Sequence, residues 1–388
     1  MPPKLVRQLG EMEELVEEIL IRLPPDDPGN LLRASLACKP WRRLLASCGF
    51  RRRYRDFHRT PPMLGFLHSW LCTEFVPTTD FRPCEPDLLH SRYSMEDCRH
   101  GRVLLQYFDR DANIPLLVIW EPVTGSQTVL RCPEMPGTSS SASVLCAADG
   151  CRHDDCHLGP SLVVFVSLDE EARVATASVY SSETGNWSSP VTLDVGFVEI
   201  EISFTTMPSV LVGDVLYFPI SRDHSNGTLM YDLAGYCLSD IHLPCSFIYF
   251  RCPIAPILMA SDDGRLGLAE LYNFDLTIWW REVDPDGLAS WTRRSRINLE
   301  TILPVGDPEV TTELVGSIEG TVIVFAITDL GTYMIDLKSL SLKELSNELC
   351  QQEGITWALY PYLSFYSPPG TGVVAEASSE AGHGDDEA

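Results

Sequence analysis

Two spacings of apolar residues divide the chain. In the first, Met12, Leu15, Val16, Ile19, Leu20 and Leu23 recur at i, i+3, i+4, i+7, i+8 and i+11. That is one stripe at helical period and predicts an amphipathic helix. Pro24-Pro25 ends it, because proline cannot donate and clashes with the preceding turn. Asp26 and Asp27 before Pro28 read as an N-cap with a first-turn proline. A second short helix then carries Leu31, Leu32, Ser35 and Leu36. A third, starting near Pro40, carries Trp41, Leu44, Leu45 and Cys48. Three helices of about ten residues enclose little core. Much of their apolar surface is therefore expected to meet another protein; the alternative is packing on the rest of the chain.

From about residue 61 the period changes. Runs at 102–106, 162–166, 215–218, 266–269 and 321–327 are short, rich in Val, Leu, Ile and Phe, and bounded by Gly, Asp, Pro and Ser. These are strand and turn signals. Five segments, 116–130, 177–193, 229–243, 278–291 and 333–345, share one form: a β-rich run, a polar turn, then a mixed run. Gly125, Gly185, Gly235 and Gly287 mark the turns at spacings of 60, 50 and 52, and the fifth turn, near Ser339, lies 52 further on without a glycine. A period of 50–60 residues with about four strands per repeat is that of a β-propeller blade. Strand-like runs at 63–75 and 357–366 are left over. Pairing the first with the last closes the ring and removes the free sheet edge. The count favours six blades, with five or seven open, against a sandwich array of similar content. The expected organisation is multi-domain: an all-α three-helix domain with a basic linker (1–60), an all-β propeller (61–370) and a disordered acidic tail (371–388).

Composition narrows the function classes. Of 388 residues, 45% are hydrophobic and 21% charged, which suits a folded chain with a sizeable core. No apolar run approaches the roughly 18 residues of a membrane span. The first residues turn acidic where a signal peptide needs its apolar region, which argues against secretion. Thirteen cysteines, odd in number and irregular in spacing, read as free thiols in a reducing compartment, cytoplasmic or nuclear. Residues 1–60 hold 12 Lys/Arg and 8 Asp/Glu; residues 61–388 hold 17 and 46. So acidic a body counts against nucleic acid as its partner.

The helical segment LVEEILIRLPPDDPGNLLRASLACKPWRRLL (15–45) resembles the F-box motif in its plant form. The matching positions are Leu15, Glu18-Ile19-Leu20, Arg22-Leu23-Pro24, Leu31-Leu32-Arg33, Ser35-Leu36, Cys38-Lys39 and Trp41-Arg42. Gly10-Glu11-Met12 stands where the family has Leu-Pro, and Pro40 precedes Trp41. The remainder resembles the degenerate propellers often attached to F-boxes. The resemblance implies a non-enzymatic substrate receptor of a cullin ubiquitin ligase, docking on a Skp-type adaptor and selecting a target protein through its propeller. It assigns Leu15, Ile19, Leu20, Leu23, Pro24, Leu31, Leu32, Leu36 and Trp41 to the adaptor surface or its immediate support. Alternatives are a propeller scaffold without a ligase role and a propeller glycan hydrolase. No cofactor is implied.

Other chemistry is sparse. Cys146, Cys151, His153, Cys156 and His157 have metal-ligand residue types, but only one short spacing and no second pair. They are expected to be free thiols in a long loop that also includes 139–143. The segment SSETGNWSS (181–189) reads as a structural turn, and acidic pairs such as Asp262-Asp263 as solvated loop charge. The run from Phe50 to Arg59 is basic with interleaved aromatics. It is expected to be a linker helix whose aromatics pack on the propeller, rather than a nucleic-acid or import patch.

Overall fold

The structure is a computed structural model. It describes residues 13–69, 73–84, 93–109, 114–148, 151, 153, 159–196, 202–222, 225–244, 256–284, 286, 288–307, 310, 312–347 and 358–365. The tail predicted at 371–388 lies outside them, as do Cys156 and His157. The chain separates between Thr60 and Pro61 into a helical unit and a β unit ending at Phe365. No described helix is long and apolar enough to cross a membrane.

Among the described residues the helical unit has four helices, the three expected and the expected linker helix: α1 (Glu13–Leu20), α2 (Pro28–Ala37), α3 (Lys39–Ala46) and α4 (Cys48–His58). Pro28 and Pro40 each sit in a first turn, where the missing N–H costs nothing. Ser47 caps α4, its hydroxyl accepting from the Phe50 N–H at 3.2 Å. The expectation for the basic run is corrected here. Phe50 and Tyr54 are buried and stack on each other (centroids 5.7 Å apart) inside the helical unit. The Tyr54 hydroxyl donates to the Leu23 carbonyl (2.9 Å), and His58 Nε2 lies 2.8 Å from the Ile21 carbonyl. Arg53 pairs with Glu17 on α1 at 2.9 Å. An aromatic every four residues on one helix face is a core signal. The arginines between them masked it, because they occupy the solvent side of the same helix.

The β unit is a propeller of six sheets. Blade 1 is β25-β1-β2 (Leu359–Leu363, Met63–Ser69, Thr73–Pro77), and blade 2 is β3 to β6 (Tyr93–Arg99, Arg102–Asp109, Ile114–Trp120, Gln127–Arg131). Blade 3 is β7 to β11 (Ser139–Cys146, Ser161–Asp169, Val174–Ser181, Asn186–Trp187, Val191–Asp194), and blade 4 is β12 to β16 (Ile202–Phe204, Val210–Val212, Val215–Arg222, Ser225–Asp232, Cys237–His242). Blade 5 is β17 to β20 (Ile257–Ala260, Leu266–Tyr272, Asp275–Val283, Ala289–Asn298), and blade 6 is β21 to β24 (Glu313–Ile318, Ile323–Thr328, Gly331–Asp336, Ser341–Ser346). The last strand, β25, pairs antiparallel with the first, β1, so the ring is closed as expected.

The five apolar runs of the sequence fall on β4, β8, β14, β18 and β22, and the five repeated segments are the outer hairpins of blades 2 to 6. Residues 139–143, expected in a loop, form most of β7 instead. Serines have weak strand preference; this strand is held by its neighbours.

Apolar clusters lie between blades rather than within them. Val164, Val166 and Ala177 of blade 3 pack on Leu216, Phe218 and Leu229 of blade 4. Phe66 and Leu359 of blade 1 pack on Val315 and Phe325 of blade 6. Outer strands are stitched by tryptophans. Trp187 Nε1 donates to the Arg131 carbonyl of blade 2 (3.0 Å), and Trp291 Nε1 to the His242 carbonyl of blade 4 (3.2 Å).

Candidate functional site

Two surfaces can recognise a partner. The first is on the helical unit. Of the nine residues assigned to adaptor binding, Leu20 and Leu31 are buried and form the core with Val16, Ile21 and Leu45. Leu23 and Trp41 are half-buried, and Pro24 is exposed. Leu15 and Ile19 on α1 are 42% and 53% exposed; Leu32 and Leu36 on α2 are 41% and 74% exposed. Each pair is spaced i, i+4, so it forms a continuous apolar ridge on its helix. The periodic stripe therefore splits: Leu20 and Leu31 support, while Leu15, Ile19, Leu32 and Leu36 present. A stripe of more than about 100° can do both, which is why its spacing did not separate the roles.

The second surface is at the propeller axis, where sequence reasoning assigned no residues. Innermost strands of a propeller have backbone edges that no further strand covers. Here side chains of β3 cover the inner edge of β7. Glu96 accepts the Ala142 N–H (3.1 Å), Asp97 accepts the Val144 N–H (2.8 Å), and His100 Nδ1 receives the Cys146 N–H (3.1 Å). A bulge between Met95 and Asp97 leaves Glu96 unpaired on β3, and this lets two consecutive carboxylates reach alternate amides of one strand.

Arg99 joins three blades across the axis. Its guanidinium forks onto Glu319 of blade 6 (2.9 and 2.5 Å), meets Asp97 at 2.5 Å, and donates to the Ser209 carbonyl leading into blade 4 (3.0 Å). Glu319 also accepts the Leu211 N–H at 2.7 Å. Burial pulls the Arg99 pKa down, but Asp97 and Glu319 outweigh it, so the guanidinium stays charged. Burial pushes the Asp97 carboxyl up to about 6, with Arg99 opposing and Glu319 adding.

Beside this network lies a cavity of about 210 Å³. Its wall carries Ser94, Glu96, Ser139–141, Thr205, Thr206 and Tyr360, with Met95, Phe204 and Met207 as apolar surface. These come from the starts of β3, β7 and β25 and from the end of β12, so the cavity opens at one end of the axis. Tyr360 donates to the Thr206 carbonyl (3.1 Å), and burial first, then Glu96 and Asp97, holds its hydroxyl protonated. Glu96 is the one carboxyl among the described lining residues. Burial raises it to about 8, against the Ala142 and Ser94 hydrogen bonds that favour ionisation. The cavity can therefore bind through hydroxyls and one acid that is mostly neutral at pH 7.

The four-helix unit with two outward apolar ridges and the six-bladed propeller together define an F-box-type receptor. The F-box domain family matches residues 13–53, and the family described as F-box protein AT5G49610-like, beta-propeller, matches residues 94–369. The chain belongs to this F-box β-propeller family. No curated protein matches it. Among solved structures, it is similar to the β-propeller domain of the trilobed protease of Pyrococcus furiosus (11% identity, 65% of this chain, 82% of that one, TM-score 0.35). It is also similar to the α-L-arabinanase of Penicillium chrysogenum (9%, 79% and 88%, TM-score 0.36). Against a prolyl endopeptidase (15%, 65% of this chain, TM-score 0.34) it spans only 36% of that protein's length.

Proposed function

We propose that this protein is the target-recognition subunit of a cullin-based ubiquitin ligase, without catalytic residues of its own. The helical unit docks on a Skp-type adaptor, and the propeller takes the target protein. The observation that carries the reading is the pair of ridges, Leu15/Ile19 and Leu32/Leu36, left exposed at motif positions while Leu20 and Leu31 fill the core. Four large apolar side chains presented to water in so small a unit fit a surface that a partner covers. Leu15, Ile19, Leu32, Leu36 and Pro24 make direct contact; Leu23 and Trp41 border it, and Leu20 and Leu31 hold the helices that present it. The propeller end carrying the Glu96 cavity suits target binding better than hydrolysis, because glycoside cleavage needs two carboxyls flanking one bond. The acidic body favours a target with a basic surface, mainly through encounter rate.

The test is capture of the full-length chain by a purified Skp-type adaptor. Ile19→Asp combined with Leu36→Asp should abolish capture while circular dichroism and the melting temperature stay unchanged, since both side chains are exposed. Capture that survives the double substitution refutes the proposed surface, and absence of capture by the unaltered chain refutes the ligase role.

A further inference from the structure

We propose that Cys146, Cys151 and His153 bind a zinc ion that ties residues 151 and 153 back to the end of β7. Their ligand atoms, two sulfurs and an imidazole nitrogen, lie within 4.8 Å of one another. Zinc takes thiolate at about 2.3 Å and imidazole at about 2.0–2.1 Å in a tetrahedron, which sets neighbouring ligand atoms roughly 3.4–3.8 Å apart. The 4.8 Å bound on the observed spread exceeds that edge by about 1 Å. The residue types are those of zinc, not of hard cations, which prefer oxygen.

A second observation points the same way. Both sulfurs already accept backbone amides two residues on: the Ala148 N–H donates to Cys146 Sγ and the His153 N–H to Cys151 Sγ, each at 3.4 Å. Such outer bonds typically surround metal ligands. His153 also holds a left-handed backbone (φ 60), uncommon outside glycine, and its ring stacks on His100 at 4.0 Å and 16°. His100 belongs to the β3–β4 turn of blade 2 and receives the Cys146 N–H. It orients a ligand ring and a ligand backbone at once.

The surroundings accept the charge. Two thiolates and a neutral imidazole around Zn²⁺ sum to zero, so the site needs no further counter-ion. Binding breaks two S–H bonds, forms two Zn–S bonds and one Zn–N bond in place of zinc-bound waters, and releases two protons to solvent; nothing is oxidised. The neck of the loop is fixed by the Ala147 N–H on the Pro160 carbonyl (2.9 Å) and by Arg102 on the Gly159 carbonyl (2.6 Å). The site lies at the opposite end of β7 from the Glu96 cavity and does not depend on the ligase reading. It differs from the sequence expectation of free thiols because only folding brings His153 against both cysteines.

The experiment uses the full-length chain purified under reductant without chelator. Elemental analysis should find about one zinc per chain, and Co²⁺ in its place should give a thiolate-to-cobalt charge-transfer band. Cys151→Ser and His153→Ala should each weaken zinc binding by at least the roughly 10–100-fold that even an outer partner's loss costs. Cys132→Ser and Cys237→Ser, outside the cluster, should leave it unchanged. Should Cys151→Ser fail to fold, exposed His153→Ala and the cobalt spectrum of the unaltered chain still decide. The proposal is overturned by absence of bound zinc, by a cobalt spectrum without the thiolate band, by zinc that survives both ligand substitutions, or by a Cys146–Cys151 disulfide in freshly alkylated lysate.

Discussion

Replacing Arg99 by methionine tests the claim that the propeller axis is held by charge rather than by apolar packing. The substitution keeps most of the side-chain volume but removes the guanidinium. Asp97 and Glu319 then face the axis without their shared cation, and the Ser209 carbonyl loses its donor. Leaving a buried charge without its partner costs about 3–5 kcal/mol. That is a large part of the 5–15 kcal/mol typical of a folded domain. At roughly 2–4 °C per kcal/mol, the melting temperature at pH 8 should fall by about 6–20 °C. The pH dependence makes the test specific. Arg99 opposes the burial that raises Asp97 to about 6, so its loss moves that carboxyl higher still. The variant's native state then binds protons that its unfolded state releases, and its stability rises as pH falls. The deficit should therefore be largest near pH 8 and shrink toward pH 5 in melts followed by near-UV circular dichroism. The triple change Asp97→Asn, Arg99→Met, Glu319→Gln should recover much of the loss, since a neutral network leaves no buried charge unpaired. A shift below about 3 °C, or a deficit that grows on acidification, refutes the reasoning.

Leu31→Ala, at a buried position of α2, should cost about 2–5 kcal/mol and lower helical content, unlike changes at exposed Leu36; urea unfolding followed at 222 nm distinguishes them. Glu96→Gln should remove a pH slope. The folded pKa of about 8 against the ordinary 4.5 means the native chain holds the proton, so stability falls as pH rises between those values. Asp97 contributes only up to about pH 6, and the buried His68 and His100 act equally in both proteins, so between pH 6 and 8 the urea midpoint of the unaltered protein should fall relative to that of Glu96→Gln; parallel curves refute the assignment. Gly316→Ala should strain the ring closure, because its Cβ would stand 2.6 Å from the Leu359 carbonyl of β25. A loss of about 1–3 kcal/mol in thermal melts is expected, and an unchanged melting temperature contradicts the packing described.

The outer hairpins were legible along the chain because each carries its own local signal, a β-rich run, a polar turn and a return. Even the glycine-free fifth turn was recovered from its spacing: there Leu340 takes the left-handed conformation instead (φ 55). The same locality exposed the helical stripe of α1 and the proline stops. The aromatic face of α4 was present in the residues but was assigned to the wrong neighbour, since periodicity states that a face is buried and not what buries it.

What sequence by itself determined is therefore the period: helices first, then five repeats at 50–60 residues, with a first and last strand left to pair. What tertiary structure alone decided lies at the axis and between loops. Serine-rich β7 is a strand because Glu96, Asp97 and His100 occupy its unpaired amides. Arg99 meets Glu319 across 220 positions of chain. These are non-local pairings, whose partners share no spacing for a periodic pattern to report.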